Sequence, residues 1–184
     1  MIKNNDIPLK TRLKELLIDY LVIVGYLFLL FLVATLFYQL FFGGIPLFSE
    51  VTSQLIATLT SVVPIVLLFS YLDWRGGSIG KKKTGLRIHF KKKQFRFALI
   101  RNVIKFLPWQ LGHMATIHGI YHDFDTISLV LQILSIGLML DMFAMGILRE
   151  DKRHFADFIA GSQVQAPHPS QLNRAVIDSM DVKQ

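Results

Sequence analysis

From Leu16 to Phe42 the chain runs 27 residues with a single charge, Asp19. As a helix at 1.5 Å per residue this run is about 40 Å long, more than the roughly 30 Å hydrocarbon core of a bilayer, so it spans a membrane with length left for tilt or protrusion. A carboxylate set just inside such a helix is expensive in hydrocarbon and asks for a partner, a water-filled recess or a proton. Seven residues at 3.6 per turn return to nearly the same azimuth, so Arg12, Glu15, Asp19 and Tyr26 share one face. A polar stripe therefore runs from the interface into the membrane. The apolar run is longer than a signal-peptide core and lacks a small-residue cleavage pattern, so it is expected to be retained.

Of 184 residues 52% are apolar and mean hydropathy is +0.45, which excludes a typical soluble domain and fits one all-α integral membrane domain over residues 1–164. The Gln-, Pro- and Ser-rich stretch 165–184 reads as a mobile cytoplasmic tail. Gly43-Gly44-Ile45-Pro46 ends the first helix, and Ser49 is a candidate N-cap for a second span over 51–74. Pro64 predicts a bend there, with Thr58, Thr60 and Ser61 available to satisfy freed carbonyls. Thr126 to Leu148 is a further span, apolar apart from Gln132 and Asp141.

Residues 97–120 carry Arg101, Lys105, Pro108, Gln110, His113 and His118 and fit either a polar-faced span or an interfacial helix. Charge decides between them. With four spans, all 20 Lys and Arg fall on one side or within the helix ends of that side, and the connections 43–50 and 121–125 carry none. An interfacial 97–120 would place Arg149, Lys152 and Arg153 outside, against the positive-inside rule. The expected fold is four transmembrane helices (about 16–42, 51–74, 97–120 and 126–148) with both termini cytoplasmic, a basic cytoplasmic loop, and a short amphipathic segment after Asp151.

That loop holds nine Lys or Arg between Arg75 and Arg96 and no acidic residue. Leu86 to Phe90 alternates with period two, as a short strand or hairpin does. Lys81, Lys82, Lys83, Lys91, Lys92 and Lys93 are expected to set topology and to attract anionic lipid head groups, at about 1 kcal/mol per residue near the surface. Tethering at the membrane argues against nucleic acid.

Charge depth predicts two pairs. Asp19 and Arg101 lie about four residues inside their helix ends, and Lys105 and Asp141 about seven or eight. Such pairs either neutralise one another, with the long cations reaching for the interface, or form a polar pathway in which Asp19 or Asp141 takes up and releases a cation or proton. Asp157, in a basic context beyond the last span, is expected to cap or to pair with Arg12. Gly25, Gly112 and Gly137 are candidates for close helix contact, within the chain or in a homo-oligomer.

Other chemistries lack their residues. The chain has no cysteine, so thiol redox chemistry, disulfides and thiolate metal sites are excluded. Gly80-Lys81 is not a phosphate-binding loop, because Arg75 stands five before Gly80 and Lys82 stands where Ser or Thr is needed. No nucleophile elbow is present and no enzyme is expected. His113 and His118 are five apart, off the helical metal-pair spacing, and His118, His122 and Asp123 make only a weak cluster. No metal or cofactor is expected.

At three places the residues resemble the RDD family of multi-pass membrane proteins. Arg12-Leu-x-x-Leu-Leu-Ile-Asp19 looks like the family's opening helix. Gly77-Ser-Ile-Gly-Lys-x3-Gly-Leu-Arg-Ile88 is similar to its loop, with Ser78 where Thr is usual. Lys152-Arg-His-Phe-Ala-Asp157-Phe-Ile-Ala-Gly161-Ser-x-Val164 resembles its closing segment, with Ala156 and Ser162 departing from the pattern. Order and spacing agree over roughly residues 10–164. The resemblance maps the signature triple to Arg12, Asp19 and Asp157, and implies a bacterial inner-membrane protein with cation or proton-coupled transport proposed for some members. The alternative is a membrane scaffold or accessory subunit that binds anionic lipid or another membrane protein.

Overall fold

Leu9–Phe42 forms one unbroken helix, α1, in a computed structural model that describes residues 5–166. The expected mobile tail lies, from residue 167 onward, outside the described residues. The helix begins seven residues before Leu16, because the polar turn ahead of the apolar run is also helical. Arg12 Nη1 donates to Glu15 Oε2 at 2.9 Å, one turn along. Gly43 ends the helix in the left-handed region, φ 71°, where a side chain would be strained.

The second hydrophobic stretch is built in three pieces: α2 (Glu50–Ala57), a π-helical turn (Thr58–Val62) and α3 (Val63–Trp74). Ser49 caps it as expected, its hydroxyl accepting the Thr52 N–H at 3.3 Å. Pro64 has no N–H to offer the carbonyl four residues back, that of Thr60. This carbonyl accepts from the Tyr26 hydroxyl of α1. The π-helical turn thus becomes a docking point for α1. Of the hydroxyls expected to serve the bend, Thr60 bonds the Ile56 carbonyl at 2.7 Å, whereas Thr58 and Ser61 turn to Gln110 and His113.

A short helix, α4 (Ile79–Lys83), and a strand, β1 (Arg87–Phe90), follow. Next come the long α5 (Phe95–Tyr121) and α6 (Thr126–Leu148), an antiparallel hairpin, then α7 (Phe155–Ala160) and β2 (Ser162–Gln165). The alternating stretch in the basic loop is β1, and its partner comes from the other end of the chain. β1 pairs antiparallel with β2, Ile88 opposite Val164.

Two apolar clusters result. Val62, Ile65, Val66, Phe69 and Phe106 pack between α3 and α5, with Phe69 and Phe106 edge to face at 5.4 Å. Ile7, Leu86, Ile88 and Val164 pack beneath the two strands. Asn5 closes that second cluster, its side-chain N–H donating to the Val164 carbonyl at 2.5 Å. Among the three glycines expected at close contacts, only Gly112 faces a neighbour, Ser135 of α6, while Gly25 and Gly137 border open space.

Among the described residues, three helical stretches are long and apolar enough to cross a membrane: Leu9–Phe42, Glu50–Trp74 and Thr126–Leu148. α5 has the length but carries charge. The N-terminus of α1, the C-termini of α3 and α6, and α4, α7 and both strands gather at one face, called here the basic face. The opposite face holds the start of α2 and the α5–α6 turn.

Ile88 is 5% exposed, so Ile88→Ala removes a packed side chain from the cluster that joins the chain's two ends. The expected loss is about 2–5 kcal/mol, read as a lowered thermal midpoint in detergent together with earlier proteolysis after residue 150. An unchanged midpoint would mean that the strand pair does not contribute to stability.

Candidate functional site

The polar stripe of α1 does face inward, and its partners come from α3, α4 and α5. Arg12, Glu15 and Asp19 are buried. Ser78 caps α4 and donates its hydroxyl to Asp19 Oδ2 at 2.6 Å, and the Gly80 N–H donates to Asp19 Oδ1 at 2.7 Å. This contact requires glycine. A Cβ on Gly80 would stand 2.3 Å from the Glu15 carbonyl oxygen and 2.7 Å from Asp19 Oδ1.

The next residue, Lys81, puts its ammonium among three carboxylates, 3.1 Å from Glu15, 3.5 Å from Asp73 and 3.9 Å from Asp19. It is 1% exposed. Burial disfavours its charge, but Asp73 and Glu15 outweigh burial and hold its pKa above the ordinary lysine value. Lys81 therefore leaves the set expected to meet lipid. Lys82, Lys83, Lys91, Lys92 and Lys93 are exposed.

Asp73 passes the network on to α5, accepting from Arg101 Nη1 at 2.6 Å and from Asn102 at 3.1 Å. Arg101 turns the other edge of its guanidinium to α7, where Nε donates to Asp157 Oδ1 at 2.7 Å. Ser162 donates to the same oxygen at 2.7 Å. Burial works against the Asp157 charge, yet Arg101 and the Ser162 hydroxyl hold its carboxyl well below the usual aspartate range. The chain of pairs thus runs Arg12, Glu15, Lys81, Asp73, Arg101, Asp157 across five helices. Removing one partner from such a buried set strands a charge, at about 3–5 kcal/mol.

Both pairs expected from depth are corrected. Arg101 meets Asp73 and Asp157 rather than Asp19, because depth along a helix says nothing about azimuth and Asp19 points at α4. Lys105 and Asp141 do not meet. The Lys105 ammonium lies over the rings of Phe69 and Phe106, 5.1 and 5.3 Å from their centres, and Asp141 is exposed on α6 with no ion pair among the described residues. Of the two roles expected for Asp157, capping holds, since its Oδ2 accepts the His154 N–H at the start of α7 at 3.3 Å, but Arg12 does not pair with it. Arg12 reaches the C-terminal segment through the Lys152 carbonyl, 3.0 Å away. Sequence reasoning missed Asp73, Glu15 as a Lys81 partner, and Lys81 itself, which reads as one cation among many in a basic loop.

Beside the network a cavity of about 630 Å³ opens between α1 and the α5–α6 hairpin. Lys81, Arg101 and Lys105 line its polar end, and Tyr20, Trp109 and Phe143 are among the apolar residues of its walls.

His154 completes the node. Its Nε2 stands 3.2 Å from Arg101 Nη2, which can only donate, and 3.3 Å from Asp157 Oδ2. Burial is the main cause that lowers the His154 pKa from 6.5 to about 3. Between those values the unfolded chain takes up a proton that the folded chain refuses, so stability falls with pH, by up to about 1.4 kcal/mol per unit. His154→Gln should flatten the stability profile between pH 6.5 and about 4.5, measured by chemical denaturation in detergent. Parallel profiles for parent and variant would refute the buried neutral imidazole.

The model of the RDD family matches residues 8–161. No curated protein and no solved structure matches the chain. The matched region takes in the start of α1, α4 with β1, and α7, the elements that the buried pairs bind into one node. With apolar helices of spanning length and a match over most of its residues, the chain belongs to the RDD family of membrane proteins.

Proposed function

We propose that this protein crosses the bacterial inner membrane four times, with its basic face and both termini in the cytoplasm, and exchanges a small cation for a proton at the cage formed by Glu15, Asp19 and Asp73. The observation that carries the reading is the convergence of those three carboxylates on one ammonium, Lys81, at the edge of a cavity within the helix bundle.

Support for α5 as the fourth span comes from its neighbours. It is 27 residues long, about 40 Å at 1.5 Å per residue, and it packs along α6 and α3. Its mid-length polar side chains point at partners inside the bundle: Gln110 at Thr58, 3.0 Å, and His113 at Ser61, 2.9 Å. A helix lying on the surface would not bury those groups. Its cations sit near the basic end, as the positive-inside rule asks.

A lysine ammonium and a small hydrated-then-stripped cation compete for the same three carboxylates. When Lys81 gives its proton to water in the cavity, the cage holds an uncompensated charge and takes a cation. When Lys81 is reprotonated, the cation leaves. The charge at the site is the same before and after each exchange. Because the empty cage raises the lysine pKa, cation binding strengthens as pH rises. Asp73 and Asp157 are held by Arg101, which cannot deprotonate, so the exchange is confined to the Lys81 side. The exposed lysines of the loop favour a second reading, a scaffold bound to anionic lipid or to a membrane-protein partner, or an oligomer in which both roles meet.

Flux in proteoliposomes, with Na⁺, K⁺ and pH gradients varied separately, tests the exchange. The parent should move protons in response to a cation. Asp19→Asn, close in volume but unable to ionise, should lose that movement with a thermal midpoint within a few degrees of the parent. A parent without cation-dependent proton movement, or a stable variant with unchanged flux, removes the exchange reading, and an unstable variant favours a structural Asp19.

Topology is tested separately. Reporter fusions at residues 45 and 123 should report outside, and fusions at residues 85 and 175 should report the cytoplasm. Residue 175 outside would eliminate the four-span arrangement.

A further inference from the structure

The face opposite the ion-pair node has its own cluster. Glu50, the first residue of α2, extends one carboxylate oxygen to His118 Nδ1 at 2.7 Å and the other to His122 Nε2 at 3.0 Å. The two histidines are one turn apart at the end of α5, with ring centres 4.2 Å apart. The carboxylate and both imidazoles offer ligand atoms that all lie within 4.8 Å of one another. We propose that Glu50, His118 and His122 bind one divalent transition-metal ion of the zinc class at this face.

The donor set suits such an ion. Zinc takes imidazole nitrogen and carboxylate oxygen at about 2.0–2.2 Å, which puts tetrahedral ligand atoms about 3.3 Å apart. The Glu50 to histidine distances are already close to that separation, and His122, with a half-exposed side chain, has room to turn inward. Three protein ligands leave one coordination position to water.

Independent features hold the ligands in place. Behind His118, its other ring nitrogen, Nε2, lies 3.4 Å from Asp125 Oδ2. Asp125 is itself fixed as the cap of α6, its Oδ1 accepting the Ser128 N–H at 3.0 Å. A carboxylate behind a metal-bound histidine sets the tautomer and the ring orientation that coordination needs. Tyr121 pins the two ligand-bearing elements together, donating to the Phe48 carbonyl at 2.6 Å and lying 3.0 Å from the Ser53 hydroxyl. The electrostatics also favour a cation. Neither 43–74 nor 106–148 contains a Lys or Arg, while Glu50, Asp123 and Asp125 cluster at this end. The site is separate from the carboxylate cage and does not depend on the exchange reading.

The test is calorimetric titration of Zn²⁺ into the full chain, metal-stripped, in detergent and purified with a tag that contains no histidine. The expected result is one ion per chain and a raised thermal midpoint. His118→Ala with His122→Ala should abolish binding, Glu50→Gln should weaken it at least about tenfold, and Asp125→Asn should weaken it by about tenfold. His89→Ala, on the basic face, should bind as the parent does. Midpoints without zinc check folding, and if the double variant unfolds, the single change at half-exposed His122 carries the test. No saturable binding by the parent, or undiminished binding by folded His118 and His122 variants, overturns the proposal.

Discussion

Asp73 is the residue on which the basic face depends. One of its oxygens takes Arg101 and Asn102, and the other faces Lys81. It thereby couples two buried cations that otherwise belong to separate halves of the network, one closed by α1 and the other by α7. The two cations are not interchangeable. Arg101 must hold two carboxylates on different elements at once, and only a planar fork with several fixed donors does that. Lys81 must sit among three carboxylates in a space closed by the Gly80 backbone, which suits a compact point charge.

The helices are joined differently at the basic face and along their middle. At the basic face the joints are ionic, and they consume the polar face of α1. In the middle they are neutral and sparse: Tyr26 at the π-helical turn, Gln110 with Thr58, His113 with Ser61. α1 therefore leans on the bundle at α4 and at the π-helical turn, and the space between these contacts and the α5–α6 hairpin is the cavity. The same arrangement that fixes the node leaves room beside it.

Much of the frame was legible in the chain. The apolar runs mark three helices of spanning length, Gly43 and Ser49 mark a helix end and start, and period-two alternation marks β1. The shared azimuth of Arg12, Glu15 and Asp19 marks the inward face of α1. The pairing was not legible for two reasons. Depth orders charges along the membrane normal but not around it, so Asp19 with Arg101 and Lys105 with Asp141 matched in depth and missed in direction. A count of basic residues also treats each one as solvated, and Lys81 looks no different from Lys82 until Gly80 brings α4 onto α1. Asp73, at the end of an apolar run, reads as a boundary residue. The Glu50 and histidine cluster was hidden by separation, because its carboxylate stands 68 residues before His118.

The long reach of the node has a consequence for the order of assembly. Its last acid, Asp157, is made after every spanning helix, and Arg12 and Asn5 bond to carbonyls 140 and 159 residues further on. During synthesis Arg101 leaves the ribosome with Asp73 already made and Asp157 still to come. The bundle can insert helix by helix, but its basic face cannot close until the segment from Lys152 to Val164 returns to Asn5 and Arg12. The Arg101–Asp157 ion pair can therefore form only after α6 has been made, as the step that closes the node.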